Sequence, residues 1–222
     1  GSVQRLFGEG VPREIPADSR IRFFQEPDGG IYDGMNQAVK RVQGQYVLFL
    51  NCGDRFFSRS VLSKAASFME RWQGENGGKG RCCIFYGDQF NQLQNTPVHS
   101  APVMNDFTCY RNVPCHQVCF YDAGLFEQRG YDTDYRVRAD YEHFLYAVYD
   151  KKAPAVYMPV TVAFYEGGGF SETKENRKRS ALEHKVITRY YLGWGKSTLY
   201  AFLMLVSLAP LRTRIAESPV MS

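Results

Sequence analysis

The sequence lacks the cysteine spacing of a zinc site. Its six cysteines include no C-x-x-C pair, whereas zinc sites usually combine two tightly spaced pairs of ligands. Cys115 and Cys119, with His116 beside the first, supply at most one such group. Several cysteines stand in apolar, strand-like runs, where a free thiol behaves as a small hydrophobic side chain. The cysteines are therefore predicted to be core residues rather than metal ligands.

The chain also lacks a strong charge of either sign and a visible signal peptide. Its 27 Lys and Arg residues nearly balance 23 Asp and Glu residues, which leaves a net charge of +4. That charge is too weak to indicate nucleic-acid binding, and nucleic acid is not predicted as a partner. Cysteines that are predicted to be core residues, together with the lack of a visible signal peptide, favour a reducing, cytoplasmic location. A hydrophobic content of 44% can fill the core of one domain with an appendage.

No apolar run is long enough to cross a membrane, which takes about 20 residues as a helix. Residues 198–211, TLYAFLMLVSLAPL, are almost wholly apolar, with Lys196 before them and Arg212 and Arg214 after. Apolar residues flanked by cations are typical of a helix on anionic lipid. Residues 194–215 are therefore predicted to attach the protein peripherally to the inner face of the cell membrane. The alternative is a helix packed on the domain or in a dimer interface, and the oligomeric state stays open.

Residues 23–54 carry the most informative pattern that is present. A short apolar run predicts a strand over residues 19–25, and a glycine pair then turns the chain. A one-faced helix follows, because apolar residues recur with helical spacing at Ile31, Met35, Ala38, Val39 and Val42. Gly44 supplies the stop of this helix.

The strand predicted after this helix leads to a carboxylate. Residues 46–50 are continuously apolar, as in a strand that is covered on both faces. Asp54 lies just beyond the carboxyl end of that strand, which is where ligands bind in an open α/β sheet. The pattern therefore places Asp54 where this architecture does its chemistry.

Several motifs in order resemble those of a known family. The segment contains EPDGGIYDGMN at residues 26–36, VQG at 42–44 and LNCGD at 50–54, and later come YGD at 86–88, HQ at 116–117, ADY at 139–141 and GGGFS at 167–171. Together they closely resemble the bacterial family 2 glycosyltransferases, especially the branch that builds surface polysaccharides. The resemblance covers roughly residues 20–172. It is specific for the family but not for the donor or the acceptor.

The resemblance implies an α/β fold of the GT-A type, with a mostly parallel sheet flanked by helices. This domain is predicted over residues 1–172, with a C-terminal helical extension over residues 173–222. The first βαβ unit of the family, which usually contacts the nucleotide base, has no counterpart before Ser19. Since such a unit needs ~30 residues or more, roughly fifty residues of a complete fold are expected to be absent.

The implied function is inverting transfer of a hexose or related sugar from a nucleotide-sugar donor to a saccharide or lipid-linked acceptor. One alternative function is that of a nucleotidyltransferase. Such an enzyme needs a basic, glycine-rich loop near the start of the sequence, and none is seen here. The other is a non-catalytic sugar-nucleotide-binding or scaffold protein of the same fold. It is suggested by the absent first unit and by the acidic cluster at residues 51–54, which has one carboxylate fewer than is usual in the family.

The resemblance also implies a divalent cation, Mg²⁺ or Mn²⁺, at Asp54. In the family the corresponding acidic cluster binds the metal that bridges the donor diphosphate. Here Gly53 replaces one usual carboxylate and leaves a single charged ligand. Mg²⁺ tolerates this because it keeps several waters and takes one or two carboxylates plus phosphates. The alternative is that Asp54 merely turns the chain or caps a helix, and Asn51 is assigned to the donor ribose or to the turn.

Donor binding is also predicted at the glycine turn. Glu26 and Asp28 crowd the pair Gly29 and Gly30, whose backbone allows close approach at a helix N-terminus. The resemblance places this loop beside the nucleotide. Asn36 is the last residue of the same motif and is also assigned to donor binding. The alternative is a tight turn with Asp28 as a helix cap.

The general base is assigned to Asp140 by the resemblance. The helix that carries it follows independently from an apolar face made by Tyr141, Phe144, Leu145 and Val148. A carboxylate at a helix N-terminus is stabilised as the anion, so its basicity would rely on position and burial. The alternative is an ordinary cap.

A sugar pocket is predicted around three further side chains. The resemblance puts His116 and Gln117 near the sugar, although a structural histidine is an equal alternative. Asp88 is predicted to end a strand on the same edge as Asp54 and to bind sugar hydroxyls. Residues 167–169 are predicted to form a turn that closes over the diphosphate or is a plain loop.

Overall fold

The computed structural model describes residues 20–76, 82–166 and 173–216, with side chains up to residue 207. It is a mixed α/β fold with one six-stranded sheet. The strands are β1 (Tyr46–Val47), β2 (Arg55–Phe56), β3 (Ile84–Asn91), β4 (Thr96–Val98), β5 (Cys119–Asp122) and β6 (Ala155–Tyr165). The helices are α1 (Ile31–Val39), α2 (Val61–Glu75), α3 (Asp106–Arg111), α4 (Ala139–Leu145) and α5 (Lys174–Ala216).

The sheet has the strand order β1-β5-β3-β6-β2, and β4 pairs with β3 as a hairpin. Among the described strands, only β3 and β6 run parallel; the other pairs, β1–β5, β3–β5, β3–β4 and β2–β6, are antiparallel. The prediction of a mostly parallel sheet is therefore wrong for the described residues. A strand covered on both faces is continuously apolar whatever the direction of its neighbours, so the apolar runs could not reveal that β5 returns between β1 and β3.

Two predicted strands are shorter or absent. The run at residues 46–50 pairs only through Tyr46 and Val47, which face Asp122 and Tyr121 of β5. Residues 20–28 form no strand within the described chain. An apolar run becomes a strand only where another strand offers backbone partners, and no described strand pairs with residues 48–50 or 20–28.

The strand β6 runs through Pro159. Its pairing with β3 jumps from Tyr86–Tyr157 to Asp88–Thr161, so residues 158–160 bulge out. Proline fits a bulge because it has no N–H to donate to the ladder. Gly87 permits the bulge, since a Cβ there would lie 2.3 Å from the carbonyl oxygen of Val160.

The two helices predicted from apolar spacing are confirmed as α1 and α4. Tyr32 and Met35 of α1 are buried, although the helix ends at Val39, before the predicted Gly44 stop. The helix α4 continues into a π-helical turn, Tyr146–Asp150.

An aromatic cluster fills the core beside α4. His143 is fully buried, and its ring stacks on Phe126 with centroids 4.3 Å apart. Tyr131 packs edge-on against the same imidazole at 5.2 Å. Among the described residues, neither ring nitrogen of His143 has a hydrogen-bond partner. Burial therefore lowers the pKa of His143 to about 3.

The long helix α5 is interrupted at Gly193, whose φ of 77° is left-handed. The half before Gly193 buries Ile187 and Thr188 against the domain. After the break, Ser197 Oγ donates to the carbonyl of Thr188 at 2.8 Å, and Lys196 bonds Asp106 of α3. Within the described residues, no helix combines the length and apolar character that a membrane span requires.

Candidate active site

A cavity of about 300 Å³ opens where α1, α4 and the segments after β1 and β6 meet. Five residues predicted to act in binding or catalysis line it together: Asn51, Asp54, His116, Gln117 and Asp140. Asn51 and Asp54 follow β1, the His-Gln pair forms the 3₁₀ turn His116–Val118 before β5, and Asp140 is the second residue of α4.

Asp140 is held by three donors. Its Oδ1 accepts from the backbone N–H of Tyr141 and from the phenol of Tyr32, both at 2.9 Å. Its Oδ2 lies 2.9 Å from Nδ1 of His116. Burial would raise the pKa of Asp140, but the hydrogen bonds from His116 and Tyr32 outweigh it and lower the pKa overall. The carboxylate is therefore an anion at neutral pH, and 23% of the side chain is exposed.

Tyr32 is a neutral donor at this site. It is buried in α1, and burial together with the charge of Asp140 raises the pKa of its phenol well above the usual range. The same hydroxyl lies 2.8 Å from the carbonyl oxygen of Val137, just before α4. The phenol therefore links the backbone at Val137 to the carboxylate of Asp140.

His116 connects Asp140 to Asn51. Nε2 of the imidazole lies 3.1 Å from Nδ2 of Asn51. With the amide in this orientation its nitrogen donates to Nε2, and Nδ1 lies at hydrogen-bond distance from Asp140. His116 therefore stands between Asn51 and Asp140 in a chain of three side chains.

Asp54 is fixed at the other side of the cavity. Gln117 Nε2 donates to its Oδ2 at 3.1 Å, and the backbone N–H of Glu166 donates to its Oδ1 at 3.2 Å. Gly53 has a left-handed φ of 95°, and a Cβ there would lie 1.8 Å from Oε2 of Glu166. The carboxylate of Glu166 therefore occupies the space that glycine leaves beside Asp54.

The acidic pair fits a hard cation only in part. Within the described residues, no group of three or more His, Cys, Asp or Glu side chains is placed to hold a metal ion. Asp54 and Glu166 supply oxygen ligands, which Mg²⁺ and Mn²⁺ accept when phosphate oxygens and water complete the coordination. Glu166 was not predicted; the glycine at position 53 was the available signal, but only the fold shows which carboxylate fills its space.

The residues predicted at the glycine turn lie outside this cavity. Glu26 pairs with Arg41, and Oδ1 of Asp28 accepts from the N–H of Gly30 at 2.9 Å. Glu26 and Asp28 line a second cavity of about 530 Å³. Gly29 and Gly30 line a third, of about 670 Å³, which adjoins the first at Tyr32. The helix cap is Gly30 rather than Asp28.

Asn36 makes a structural contact. Its Nδ2 donates to the carbonyl of Tyr131 at 2.9 Å, and its Oδ1 accepts from the N–H of Tyr131 at 2.7 Å. Gly130 allows this approach, because a Cβ there would lie 2.1 Å from Oδ1 of Asn36. The amide is thus engaged with backbone and does not line the cavity with Asp140.

The prediction that Asp88 ends a strand is wrong. The strand β3 continues to Asn91, so Asp88 lies inside it and is 5% exposed. Its Oδ1 accepts from the N–H of Ser100, and its Oδ2 lies near His99 and Tyr157 at 2.8 and 3.0 Å. These contacts join β3 to β6 and to the two residues that follow β4. The glycine before Asp88 marked the bulge rather than the end of the strand.

The predicted turn at residues 167–169 lies outside the described residues. Cys83, Cys109 and Cys119 are buried, as predicted for core residues.

Comparison with known sequences finds mycobacterial relatives. The PGL/p-HBAD biosynthesis glycosyltransferase of Mycobacterium bovis (strain BCG / Pasteur 1173P2) is 30% identical over 194 residues, which cover 83% of this chain and 73% of the relative. An uncharacterized glycosyltransferase of Mycobacterium tuberculosis (strain CDC 1551 / Oshkosh) is 30% identical over 141 residues, which cover 62% of this chain and 49% of the relative. No family model matches the sequence.

A solved structure shares the fold. The crystal structure of S. aureus TarS 1-349 superposes with a TM-score of 0.51 at 15% sequence identity, over 72% of this chain and 45% of that chain. The chain thus spans less than half of the TarS structure. At this identity the likeness concerns the fold alone.

Proposed function

Because the chain belongs to the glycosyltransferases, we propose that it transfers a sugar from a nucleotide-sugar donor to a saccharide or lipid-linked acceptor, by one inverting displacement. A GT-A fold and membership of family 2 are part of the same proposal. The observation that carries it is the cavity in which Asp140, held as an anion, and the pair Asp54 and Glu166 line one space.

Asp140 is the proposed general base. Its Oδ1 already accepts two hydrogen bonds, whereas within the described residues its Oδ2 accepts one, from His116. A carboxylate oxygen has two lone pairs, so Oδ2 has room for the hydroxyl of an acceptor. The proton moves from that hydroxyl to Oδ2 while the acceptor oxygen bonds the anomeric carbon and the bond to the diphosphate breaks. Since the pKa of Asp140 is lowered, the transfer is driven by position more than by basicity.

Asp54 and Glu166 are the proposed ligands of Mg²⁺ or Mn²⁺. A bound cation would neutralise charge on the departing diphosphate. Gln117 and the backbone of Glu166 each donate to one oxygen of Asp54, so each oxygen has a second lone pair for a cation.

Release of nucleoside diphosphate tests the proposal. The protein is incubated with UDP-glucose, UDP-galactose, UDP-N-acetylglucosamine, GDP-mannose and dTDP-rhamnose, with Mn²⁺ or EDTA, and the product is quantified. We expect release from at least one donor, and Asp140→Asn should lower turnover ~10²-fold or more while donor affinity changes little. The exposed carboxylate of Asp134 provides a matched control, Asp134→Asn. Binding without release by the wild type would favour the non-catalytic sugar-nucleotide-binding protein, and normal turnover of Asp140→Asn would make that residue structural.

A lipid-linked acceptor is favoured by two observations. The Mycobacterium bovis relative carries PGL/p-HBAD biosynthesis in its name. In addition, α5 exposes a large apolar surface after Gly193, with Trp194, Phe202 and Leu205 each 60 to 67% exposed. The half of α5 before Gly193 is rich in cations, and Arg189 packs 3.8 Å from the Trp194 ring. Apolar side chains beside cations match an anionic lipid surface. Peripheral attachment to the cytoplasmic face of the membrane through residues 194–215 is therefore part of the proposal.

Sedimentation with vesicles tests this attachment. The protein should pellet with phosphatidylcholine vesicles that contain phosphatidylglycerol, and less with phosphatidylcholine alone or at high salt. The double variant Phe202→Glu with Leu205→Glu should stay in the supernatant. Leu93→Glu is the control, because Leu93 is an equally exposed apolar residue in the β3–β4 turn. A wild type that stays in the supernatant with anionic vesicles at low salt would contradict the attachment.

A further inference from the structure

A buried carboxylate of α5 binds the backbone that leads into α4. Glu183 is 7% exposed. Its two oxygens accept from three consecutive N–H groups, those of Arg136, Val137 and Arg138, at 3.0, 3.0 and 2.9 Å. A fourth donor, Nε of Arg179, bonds Oε1 at 2.9 Å. Four donors match the four lone pairs of a carboxylate, so the group is fully engaged.

The bound segment stands directly before Asp140. Arg138 is the residue before α4, and Asp140 is the second residue of that helix. The carbonyl oxygen of Val137 lies 2.8 Å from the phenol oxygen of Tyr32, whose single proton is shared between that carbonyl and Oδ1 of Asp140. A displacement of residues 136–138 would therefore move both the helix that carries Asp140 and one of its three donors.

We propose that Glu183 is a positioning residue, which acts through the backbone of residues 136–138 to hold Asp140 and Tyr32 in their geometry at the cavity. The catalytic part of this inference rests on the proposed function. It implies that the half of α5 before Gly193 belongs to the catalytic unit, whereas the boundary predicted at residue 173 would place it in a separate extension.

The substitution Glu183→Gln isolates the effect with little change of shape. Each oxygen of Glu183 receives two donors, so replacing either oxygen by an NH₂ group removes two hydrogen bonds. The new NH₂ group then faces the N–H groups that had donated to that oxygen. Glu142 provides the matched control. It is also buried, and its carboxylate also joins α4 to α5, through Tyr191 at 2.5 Å. Within the described structure that carboxylate bonds the side chains of Arg129 and Tyr191 and makes no hydrogen bond to Tyr32 or to residues 136–138.

Hydrogen–deuterium exchange of the full chain tests the anchor without reference to activity. Peptides that cover residues 136–138 should exchange about tenfold faster in Glu183→Gln than in the wild type. Glu142→Gln should leave these peptides unchanged. If Glu183→Gln does not fold, Arg179→Gln replaces it, since it removes only the fourth donor to the same carboxylate. Equal exchange in the anchor variant and the wild type would overturn the proposal.

Measurements of kcat then show whether Glu183 positions Asp140 or only stabilises the fold. With the donor that gives most nucleoside diphosphate, Glu183→Gln should lower kcat about 10²-fold, the cost of a small misplacement at a reacting centre, and leave KM for the donor nearly unchanged. Glu142→Gln should lower the melting temperature but keep kcat within about twofold. In the Asp140→Asn background, Glu183→Gln should have less than roughly a twofold further effect, because its target is already lost. Additive effects would show that Glu183 does not act through Asp140. If the wild type releases nothing from any donor, the proposed function fails, and the exchange rates alone decide whether Glu183 anchors the segment.

Discussion

The buried imidazole of His143 predicts a loss of stability in mild acid. Burial lowers the pKa of His143 to about 3 in the folded protein, against 6.5 for the exposed side chain. Between these two values the unfolded chain binds one proton that the folded chain rejects. The free energy of unfolding therefore rises with pH across this window, and the loss begins as the pH falls below 6.5.

The size of the effect follows from the two values. Each pH unit between them changes the free energy of unfolding by about 1.4 kcal/mol, so His143 costs about 2 kcal/mol at pH 5 relative to pH 8. This is a large share of the 5–15 kcal/mol that holds a typical domain together. His143→Phe should remove this contribution, because phenylalanine retains the stacking on Phe126 and does not titrate.

Urea unfolding at pH 8 and pH 5, followed by circular dichroism, measures the difference. Phe126→Leu is the control: it damages the same cluster without removing a titrating group, so its cost should be the same at both pH values. The wild type should lose about 2 kcal/mol more than His143→Phe between pH 8 and pH 5. Equal losses in the two proteins would refute the assignment of a neutral, unpaired imidazole to this position.

Two further predictions concern the sites. Asp54→Ala should abolish the Mn²⁺-dependent part of donor binding and leave folding nearly intact, which calorimetric titration with and without Mn²⁺ measures on the donor that the wild type uses; unchanged metal-dependent affinity would remove Asp54 from the metal site. Asn36→Ala should cost ~1–3 kcal/mol of stability, because two backbone groups of Tyr131 lose their partner, and donor affinity should not change. Gln37→Ala on the same helix, whose amide makes only exposed or part-buried contacts, should stay within about 0.5 kcal/mol of the wild type in the same denaturation experiment.

Local pattern predicted the helices better than it predicted the sheet. The spacing of apolar residues in α1 and α4 depends on one face of one helix, so it is visible in the sequence. The direction of β5 depends on which strands it meets, and nothing in its four residues records that. The bulge opposite Asp88 is a similar case, since Gly87 and Pro159 are 72 positions apart and become one feature only when β3 and β6 pair.

The site residues that belong to sequence motifs were predicted. The residues that reach the site only through contacts in the fold were missed. Asn51, His116 and Asp140 come from separate motifs and line one cavity. The hydrogen bond from Tyr32 to Asp140 spans 108 positions, and the spacing of α1 indicates only that Tyr32 stands at its start. From the sequence, Glu183 cannot be distinguished from the other charged residues of its helix. Three of its partners are backbone N–H groups, which leave no pattern in the sequence.

Because Glu183 binds backbone N–H groups, its contacts restrict which substitutions related sequences can accept at residues 136–138. A carboxylate that binds peptide N–H groups is indifferent to the side chains that those peptides carry, so residues 136–138 can diverge among relatives while position 183 keeps its acid. Proline is the exception, since it has no N–H to offer. In an alignment of relatives, position 183 and the absence of proline from positions 136–138 should therefore be inherited together.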